Sequence, residues 1–206
     1  NEDQFDLFGF SDESDEPTAN NSYYATLENT THFYQIIQGD LPVKLLMQNL
    51  LNQTSVCFDT ETTGIDALNA ELVGMSFSFE KGKGFYVPFP ENQEEAQTLI
   101  EKFRPFFENE NIEKIGQNMK YDLKILSNYN IQVKGKLFDT MIAHYLINPD
   151  MRHNMDVLTE TYLKYAPKSI ETLIGKKGKN QLSMRDVPLE DIKEYATEDA
   201  DITLQL

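Results

Sequence analysis

The sequence predicts an α/β fold in which helices flank a mixed central β-sheet. Two observations support this class: strand-like apolar runs dominate the first part of the chain, and alternating helix and strand patterns follow them. The chain has 206 residues, of which 40% are hydrophobic, which is enough for one large domain or two small ones. No repeat at a fixed period occurs in the sequence, so an array of small units is excluded.

Short apolar or alternating runs predict the strands. They cover residues 23–27, 33–37, 55–59, 72–79, 84–89 and 114–116. The EKGK stretch at 80–83 has the composition of a tight turn and would join two of these runs as a hairpin. A meander followed by a strand that comes after a helix implies both antiparallel and parallel pairs in one sheet.

Helical periodicity predicts the remaining elements. The predicted helices cover residues 41–52, 91–109, 121–129, 138–146, 155–165 and 189–206. Asp40 is the expected N-cap of the first helix, with Pro42 in its first turn, and Pro188 opens the last helix. The last pattern runs to the end of the chain and the first residue is not Met, so we expect a domain of a longer protein.

Acidic residues are concentrated at the start of the chain. Residues 1–43 contain nine acidic side chains and neither lysine nor arginine, within a formal net charge of −16. The stretch 1–21 is polar, like-charged and aperiodic, which predicts a disordered linker ahead of a folded domain over 22–206. As an alternative, four large apolar side chains in this stretch would form a short partner-binding motif: Phe5, Leu7, Phe8 and Phe10.

Composition also bears on the class of protein. The negative net charge argues against a protein that coats a nucleic-acid backbone through its own charge. The only cysteine, Cys57, excludes an internal disulfide and fits a reducing compartment. Because no apolar run approaches ~18 residues, we expect neither a membrane span nor a membrane partner.

The first chemical signal is the FDTETTG segment at 58–64. Asp59 and Glu61 are two apart on a predicted strand, so their side chains point to the same face. Two carboxylates this close resist joint ionisation unless a cation lies between them, and oxygen ligands favour Mg²⁺ or Mn²⁺ over zinc. Two solvated acids at a strand end are the alternative interpretation.

Two predicted helices add further acids. Asp122 lies in a first helical turn, where exposed amides favour a negative charge, and Asn118 is a candidate N-cap there. Tyr195 and Asp199 are four apart and share a helix face, whereas Asp201 points elsewhere. Each has a structural alternative, as a helix-start acid, a core tyrosine or a solvated carboxylate. Together with the strand acids they are the set that a two-metal phosphodiester site requires.

A basic loop, GKKGKNQ at 175–181, stands out in this acidic chain. Its lysines Lys176, Lys177 and Lys179 would contact phosphates, or the loop is simply a solvated turn. The spacing of a phosphate-binding P-loop is absent.

Three segments together resemble a known family. FDTETTG at 58–64, GQNMKYDLKIL at 116–126 and YATEDADITLQL at 195–206 are similar to the three exonuclease motifs of the proofreading domain of bacterial DNA polymerase I. RHNMDVL at 152–158 and GKKGKNQL at 175–182 are similar to two further stretches of that family. The resemblance extends from about residue 22 to residue 206, and it implies the ribonuclease-H-like exonuclease fold.

The resemblance also implies the catalytic residues. They are Asp59, Glu61, Asp122, Tyr195 and Asp199, and the four carboxylates among them would hold two divalent metal ions, Mg²⁺ or Mn²⁺. Because a tyrosine stands four positions before Asp199, the chain is similar to the tyrosine branch of these enzymes. A phenol with an ordinary pKa of about 10 is a poor base, so Tyr195 is expected to orient the attacking water.

Further positions match substrate contacts of the family. Ile65 matches the apolar residue that wedges against the terminal base, Gln117 and Asn118 match neighbours of the strand, and Arg152 and the lysine loop are candidates for phosphate contacts. The full set of candidate contacts is Thr62, Ile65, Gln117, Asn118, Arg152, Lys176, Lys177 and Lys179.

The implied activity is that of a 3′-5′ exonuclease. It would remove nucleoside 5′-monophosphates from single-stranded or frayed DNA 3′ ends and proofread for DNA polymerase I in replication and repair. The implied partners are the DNA end and a polymerase domain in the same parent chain, in a monomer that works at the nucleoid in the bacterial cytoplasm. The alternatives are an RNA-trimming 3′ exonuclease of the same branch and a non-catalytic scaffold domain.

Overall fold

A mixed six-stranded sheet lies at the centre of the fold, in the order β1-β4-β3-β2-β5-β6. The computed structural model describes residues 24–176, 178 and 180–206. The strands are β1 (Phe33–Ile36), β2 (Ser55–Thr62), β3 (Leu72–Glu80), β4 (Lys83–Pro88), β5 (Glu113–Gly116) and β6 (Leu137–Asp139). β2, β3 and β4 form an antiparallel meander, and the other three pairs are parallel. The predicted α/β class with a mixed sheet is therefore confirmed.

Helices flank this sheet. They are α1 (Asp40–Leu51), α2 (Gln93–Glu101), α3 (Arg104–Phe107), α4 (Lys120–Asn128), α5 (Thr140–Ile147), α6 (Met155–Leu158), α7 (Glu171–Ile174) and α8 (Leu189–Gln205). A π-helical turn over Thr159–Leu163 continues α6, and a 3₁₀ turn over Met184–Asp186 precedes α8. Among the described residues, no helix is long and apolar enough to cross a membrane.

One face of the sheet carries most of the hydrophobic core. Phe58, Met75 and Phe77 on β2 and β3 are buried, and the Phe77 ring stacks on Phe103 with the ring centres 5.5 Å apart. Buried side chains of α1, α2 and α3 complete this core. Aromatic pairs of this kind add about 0.5–1.5 kcal/mol beyond the burial of their area.

The opposite face packs against α8, and small residues allow the helix to come close. A Cβ added to Gly84 on β4 would lie only 2.9 Å from the Cβ of Thr197. On the helix side, Ala196 and Ala200 are completely buried. This close approach fixes α8 across β2, β3 and β4.

Acidic side chains that flank Asp199 hold α8 in place on both sides. Glu198 accepts hydrogen bonds from the Tyr165 hydroxyl at 2.5 Å and from the backbone N–H of Lys168 at 3.0 Å. Asp201 accepts from the Tyr34 hydroxyl at 2.8 Å and from the backbone N–H of Gly82. The prediction that Asp201 faces away from Asp199 is thus confirmed, and its role is to join α8 to β1 and the β3–β4 turn.

Two of the predicted elements at the start of the chain differ from the structure. Residues 24–27 do not form a strand, because Ala25 makes only an isolated bridge with Tyr165, and residue 23 lies outside the described residues. Helix α1 begins at Asp40 rather than after it, since Gly39 with φ +88° is the residue at the N-cap. The Asp40 carboxylate instead pairs with Lys102 at 2.6 Å.

Three predicted helices are interrupted. The helix expected over 91–109 is divided into α2 and α3, because Pro105 lacks the N–H that a continuous helix would need. The helix expected from 138 begins at Thr140, since Phe138 pairs with β5 and the Asp139 side chain caps α5. The helix expected over 155–165 becomes π-helical at Thr159 and ends at Lys164, which has a positive φ.

Candidate active site

Two carboxylates stand at the end of β2. Asp59 and Glu61 are two residues apart on this strand and therefore point to the same face, the one covered by α8. Glu61 is buried, Asp59 is partly exposed, and the strand register shifts directly after Glu61. Both acids are still paired with β3, but the pairing of β2 with β5 ends at Cys57, so they lie at the carboxyl end of a central strand.

Helix α8 brings a third carboxylate to the same place. One oxygen each of Asp59, Glu61 and Asp199 lies within 4.8 Å of the others. Asp199 is buried, and its Oδ1 atom has no hydrogen-bond partner among the residues that the structure describes. The sequence separation of these acids shows that the site is built by the packing of α8 onto β2.

Asp122 lies beside this trio and is held by β2. It is in the first turn of α4 and is buried. Its Oδ1 accepts a hydrogen bond from the Thr60 hydroxyl at 2.5 Å and another from the Thr60 backbone N–H at 3.2 Å. Thr60, which separates the two strand acids in the sequence, thus fixes the fourth acid.

Burial raises the pKa of all four acids. Desolvation raises the pKa of Asp59, Glu61 and Asp199 well above the usual range, and the neighbouring carboxylates raise it further. Burial raises the pKa of Asp122 to about 7, although the hydrogen bonds from Thr60 act in the opposite direction. A site with this electrostatic character is unfavourable without a compensating positive charge.

The donor set fits a hard divalent cation. The cluster contains only carboxylate oxygens, with neither histidine nor cysteine, and oxygen ligands are those that Mg²⁺ and Mn²⁺ prefer. Within the described part of the chain, no group donates a hydrogen bond to the Oδ1 of Asp199. A bound cation would satisfy this atom and would also offset the repulsion among the acids.

Tyr195 is one helical turn before Asp199 and lines the same cleft. Burial raises the pKa of its phenol far above the usual value, and the negative charges of Asp199 and Glu61 raise it further. A neutral phenol is able to donate a hydrogen bond and is a poor base near pH 7.

Asp59, Glu61 and Asp199 line an open cleft of 790 Å³, whereas Asp122 is buried behind them and is not among the lining residues. The opposite walls are formed by the β2–β3 loop, by α4 and by apolar side chains from α7 and the segment before α8. Tyr121 of α4 contacts the end of β2 and the loop after it: its hydroxyl donates to the Gly64 carbonyl at 2.5 Å and lies 2.6 Å from the Thr62 hydroxyl. Beyond it, Ile65 is 88% exposed at the cleft.

Comparison with known proteins identifies the family. A family model described as 3′-5′ exonuclease matches residues 34–206. DNA polymerase I of Borreliella burgdorferi is 34% identical over 210 aligned positions, which cover 100% of this chain and 22% of that protein. DNA polymerase I of Pseudomonas aeruginosa is 33% identical over 182 positions, which cover 84% of this chain and 20% of that protein. The chain belongs to the 3′-5′ exonuclease domain family of DNA polymerase I.

A solved structure supports the fold of this exonuclease domain. RNase D of Escherichia coli superposes with a TM-score of 0.64 at 17% sequence identity, over 84% of this chain and 42% of that chain. The predicted ribonuclease-H-like fold is confirmed. The chain spans about a fifth of the length of the curated relatives named above.

The predicted substrate contacts of the exonuclease domain are divided between the cleft and its surroundings. Thr62, Ile65 and Asn118 line the cleft. Gln117 is not among the lining residues, because its carboxamide bonds to the Thr140 hydroxyl and donates to the His153 carbonyl at 2.8 Å. A structural role for Gln117 is the more direct interpretation.

Two of the four basic candidates belong to the residues that the structure describes. Arg152 and Lys176 are exposed, and neither lines the cleft. Lys177 and Lys179 lie outside the described residues. Their proposed contacts with phosphates therefore stay predictions.

Reasoning from the sequence missed two residues that shape the site, Thr60 and Tyr121. Thr60 has a weak signal in the sequence, since it lies between two acids near the end of a predicted strand. Tyr121 precedes Asp122 in the KYD segment, and its contact with the β2–β3 loop depends on the position of α4. Neither contact follows from spacing along the chain.

Proposed function

We propose that this domain is a metal-dependent 3′-5′ exodeoxyribonuclease. It removes nucleoside 5′-monophosphates from single-stranded or frayed DNA 3′ ends and proofreads for a DNA polymerase I in replication and repair. The observation that carries the proposal is the approach of Asp59, Glu61 and Asp199 to within 4.8 Å of one another at the wall of an open cleft. Family membership supports it independently.

The proposed metal ligands are the four buried or half-buried acids. Asp59, Glu61 and Asp199 would hold one divalent ion, and Asp122 together with Asp59 would hold a second, as Mg²⁺ or Mn²⁺. When bound, such ions make a water molecule nucleophilic at neutral pH and stabilise the charge on the leaving 3′ oxygen. Thr60 keeps Asp122 oriented toward the site through its two hydrogen bonds.

The remaining residues bind and orient the reactants. Tyr195, as a neutral donor, would hold the attacking water by a hydrogen bond. Ile65, exposed at the mouth of the cleft, would pack against the terminal base, and Thr62 and Asn118 would contact the strand. For Arg152 and the three loop lysines, Lys176, Lys177 and Lys179, we propose a contribution of positive charge toward the phosphates further along the strand.

A single-stranded end is the proposed substrate for a physical reason. Several unpaired nucleotides must enter the cleft before the terminal phosphodiester can reach the acids. A mismatched end frays at a lower energetic cost than a paired one and is cut preferentially.

We place the domain in a larger protein. In the relatives named above, the matched region is about a fifth of the whole DNA polymerase I. We propose that a polymerase domain of the same chain delivers the strand, and that the protein works as a monomer at the nucleoid in the bacterial cytoplasm.

The test is digestion of a 3′-mismatched DNA oligonucleotide labelled at its 5′ end, with Mn²⁺ or Mg²⁺ present. Asp199→Ala should lower the rate by about 1,000-fold, since several kcal/mol of transition-state stabilisation are lost and each ~1.4 kcal/mol is tenfold. Asp191→Ala is the matched control, because Asp191 is an exposed acid of the same helix. Metal-dependent shortening by Asp199→Ala at the wild-type rate would refute the assignment.

The same assay distinguishes DNA from RNA as the substrate. E. coli RNase D is described as an exoribonuclease involved in structured RNA processing, and the likeness to it concerns the fold alone. DNA and RNA strands of identical sequence should be compared, with faster digestion of DNA expected. Faster digestion of RNA would instead support the RNA-trimming alternative.

A further inference from the structure

Two buried hydroxyl groups near the acids lack hydrogen-bond partners. The Ser76 Oγ and the Tyr86 hydroxyl have no partner within the part of the chain that the structure describes, and both residues are completely buried. A buried hydroxyl without a partner costs about 1–3 kcal/mol. Since no hydrogen bond within the described residues compensates for the burial of either hydroxyl, each calls for another explanation.

Ser76 faces Asp59. The two residues are directly opposite in the antiparallel pairing of β2 with β3, so their side chains leave the sheet on the same face. Directly opposite Cβ atoms are about 4.5–5.5 Å apart, which brings the Ser76 hydroxyl within hydrogen-bond reach of the Asp59 carboxylate in a suitable rotamer.

Tyr86 reaches Glu61 through the space above a glycine. Gly74 is directly opposite Glu61 on β3, and a Cβ added to Gly74 would lie 2.0 Å from the Tyr86 hydroxyl oxygen. The hydroxyl therefore occupies the position that a side chain facing Glu61 would take. It comes from β4, where Tyr86 is opposite Ser76 and shares the same face.

The Tyr86 ring lies in an apolar cluster that does not require its hydroxyl. The Tyr86 ring packs with Val73, Met184 and Ala196 in a small apolar cluster, which a phenylalanine would fill equally well. The hydroxyl thus adds a polar atom to an apolar contact, directly beside an acid. Its position suits a group that orients this acid.

We propose that Tyr86 and Ser76 are positioning residues for the metal ligands: in the metal-loaded site, Tyr86 donates a hydrogen bond to the Glu61 carboxylate and Ser76 donates one to the Asp59 carboxylate. The inference rests on the proposed function. A carboxylate that binds a cation through one oxygen keeps a second oxygen free to accept such a bond. Partners of this kind fix a ligand's rotamer, and their loss weakens metal affinity about 10–100-fold.

The experiment measures Mn²⁺ binding and stability separately, with the full 206-residue chain. Tyr86→Phe and Ser76→Ala should each weaken Mn²⁺ binding about tenfold, as read from the free Mn²⁺ signal in electron paramagnetic resonance. Their melting temperatures in EDTA should equal or exceed that of the wild type, because each variant removes an unpartnered polar atom.

Tyr34→Phe is the matched control. Tyr34 is also a tyrosine whose hydroxyl lies beside a carboxylate, but its partner is Asp201 at 2.8 Å, on the side of α8 away from the acid trio. This variant should melt at a lower temperature and bind Mn²⁺ with unchanged affinity.

The outcomes separate the two proposals. If the wild type binds Mn²⁺ and both Tyr86→Phe and Ser76→Ala bind it equally well, the positioning roles are refuted and the proposed function stands. If the wild type does not bind Mn²⁺, the proposed function is refuted and this inference with it. A drop in affinity in Tyr34→Phe as large as in Tyr86→Phe would also overturn the positioning roles, because it would indicate a general effect of lost hydroxyls.

Discussion

Asp122 is one of the four buried acids whose raised pKa is expected to make the stability of the protein depend on pH, together with Asp59, Glu61 and Asp199. Burial raises the pKa of Asp122 to about 7 in the folded chain, compared with about 3.9 for an unperturbed aspartate. Between these values the folded state binds more protons than the unfolded state. The free energy of unfolding therefore falls as the pH rises from about 4 to about 7.

The prediction is that the metal-free protein is more stable to urea at pH 5 than at pH 7.5, and that Asp122→Asn reduces this difference. Asp40, Asp66, Glu101 and Glu108 have a lowered pKa and act in the opposite sense, but only below about pH 4.5. The measurement is urea unfolding in EDTA at both pH values. Equal pH dependence in the two proteins would contradict the assigned origin of the effect.

At the scale of single residues, the sequence predicts which acids form the site better than it predicts which side chains contact them. The acids can be predicted from the segments around Asp59, Asp122 and Asp199, because spacing on strands and helices determines which side chains share a face. The bonds of Thr60 to Asp122, and the hydroxyls of Ser76 and Tyr86, depend on strand register and on the approach of α4. Such contacts between distant parts of the chain have no local signal.

The elements of the fold differ in how far their own sequence determines them. The observed bounds of α8 agree with the helix predicted over 189–206, because the helix is long and amphipathic. The predicted helix over 91–109 fails at Pro105, which lies in the middle of an otherwise helical pattern. The turn over Thr159–Leu163 is π-helical, although the sequence pattern predicts a regular α-helix there. The chain turns directly after it at Lys164, and Tyr165 then forms a β-bridge with Ala25. Tertiary packing decides such cases.

The contact between α8 and β4 is expected to be sensitive to one methyl group. Gly84→Ala would place a Cβ 2.9 Å from the Thr197 Cβ, which forces the helix and the strand apart. We expect a loss of about 1–3 kcal/mol in the free energy of unfolding, together with slower nuclease activity because Asp199 moves with α8. Urea unfolding and the oligonucleotide assay measure the two effects.

Gly178→Ala serves as the stability control for this change. Nothing lies within 4 Å of a Cβ added to Gly178, so this substitution should leave the free energy of unfolding within about 0.5 kcal/mol of the wild type. If Gly84→Ala were equally harmless, the close approach of α8 would not be what holds Asp199 in place.

For the whole molecule, divalent cations are expected to act as stabilising ligands. A cation that binds only the folded chain adds about 2.7 kcal/mol at a concentration 100 times its dissociation constant. For a domain of this size, this corresponds to a rise of about 5–10 °C in melting temperature. EDTA should reverse the rise.

The comparison of two acid variants shows where the cation acts. Asp199→Asn should lose most of the Mn²⁺-induced shift, whereas Asp191→Asn, altered at an exposed position of the same helix, should keep it. Differential scanning fluorimetry with and without Mn²⁺ measures both. Equal shifts in the two variants would mean that the cation binds elsewhere on this acidic chain.

The net charge of −16 is the whole-molecule property whose meaning the structure changes most. From composition alone it argues against a nucleic-acid partner. In the fold, Asp59, Glu61 and Asp199 converge at one cleft, and Glu198 and Asp201 accept hydrogen bonds that hold α8 in place. Composition cannot separate these uses, because it contains no positions. The α/β class and the family were predictable from motif order, whereas the distribution of charge was not.

The placement of α8 has a practical consequence. Glu198 and Asp201 anchor the helix on its two sides, while the Oδ1 of Asp199 between them makes no hydrogen bond to any residue that the structure describes. The side chain proposed for chemistry is thus separate from those that secure its helix. An Asp199→Asn protein should therefore keep an undistorted cleft and serve as a trap, in which an uncut oligonucleotide end is captured for crystallography.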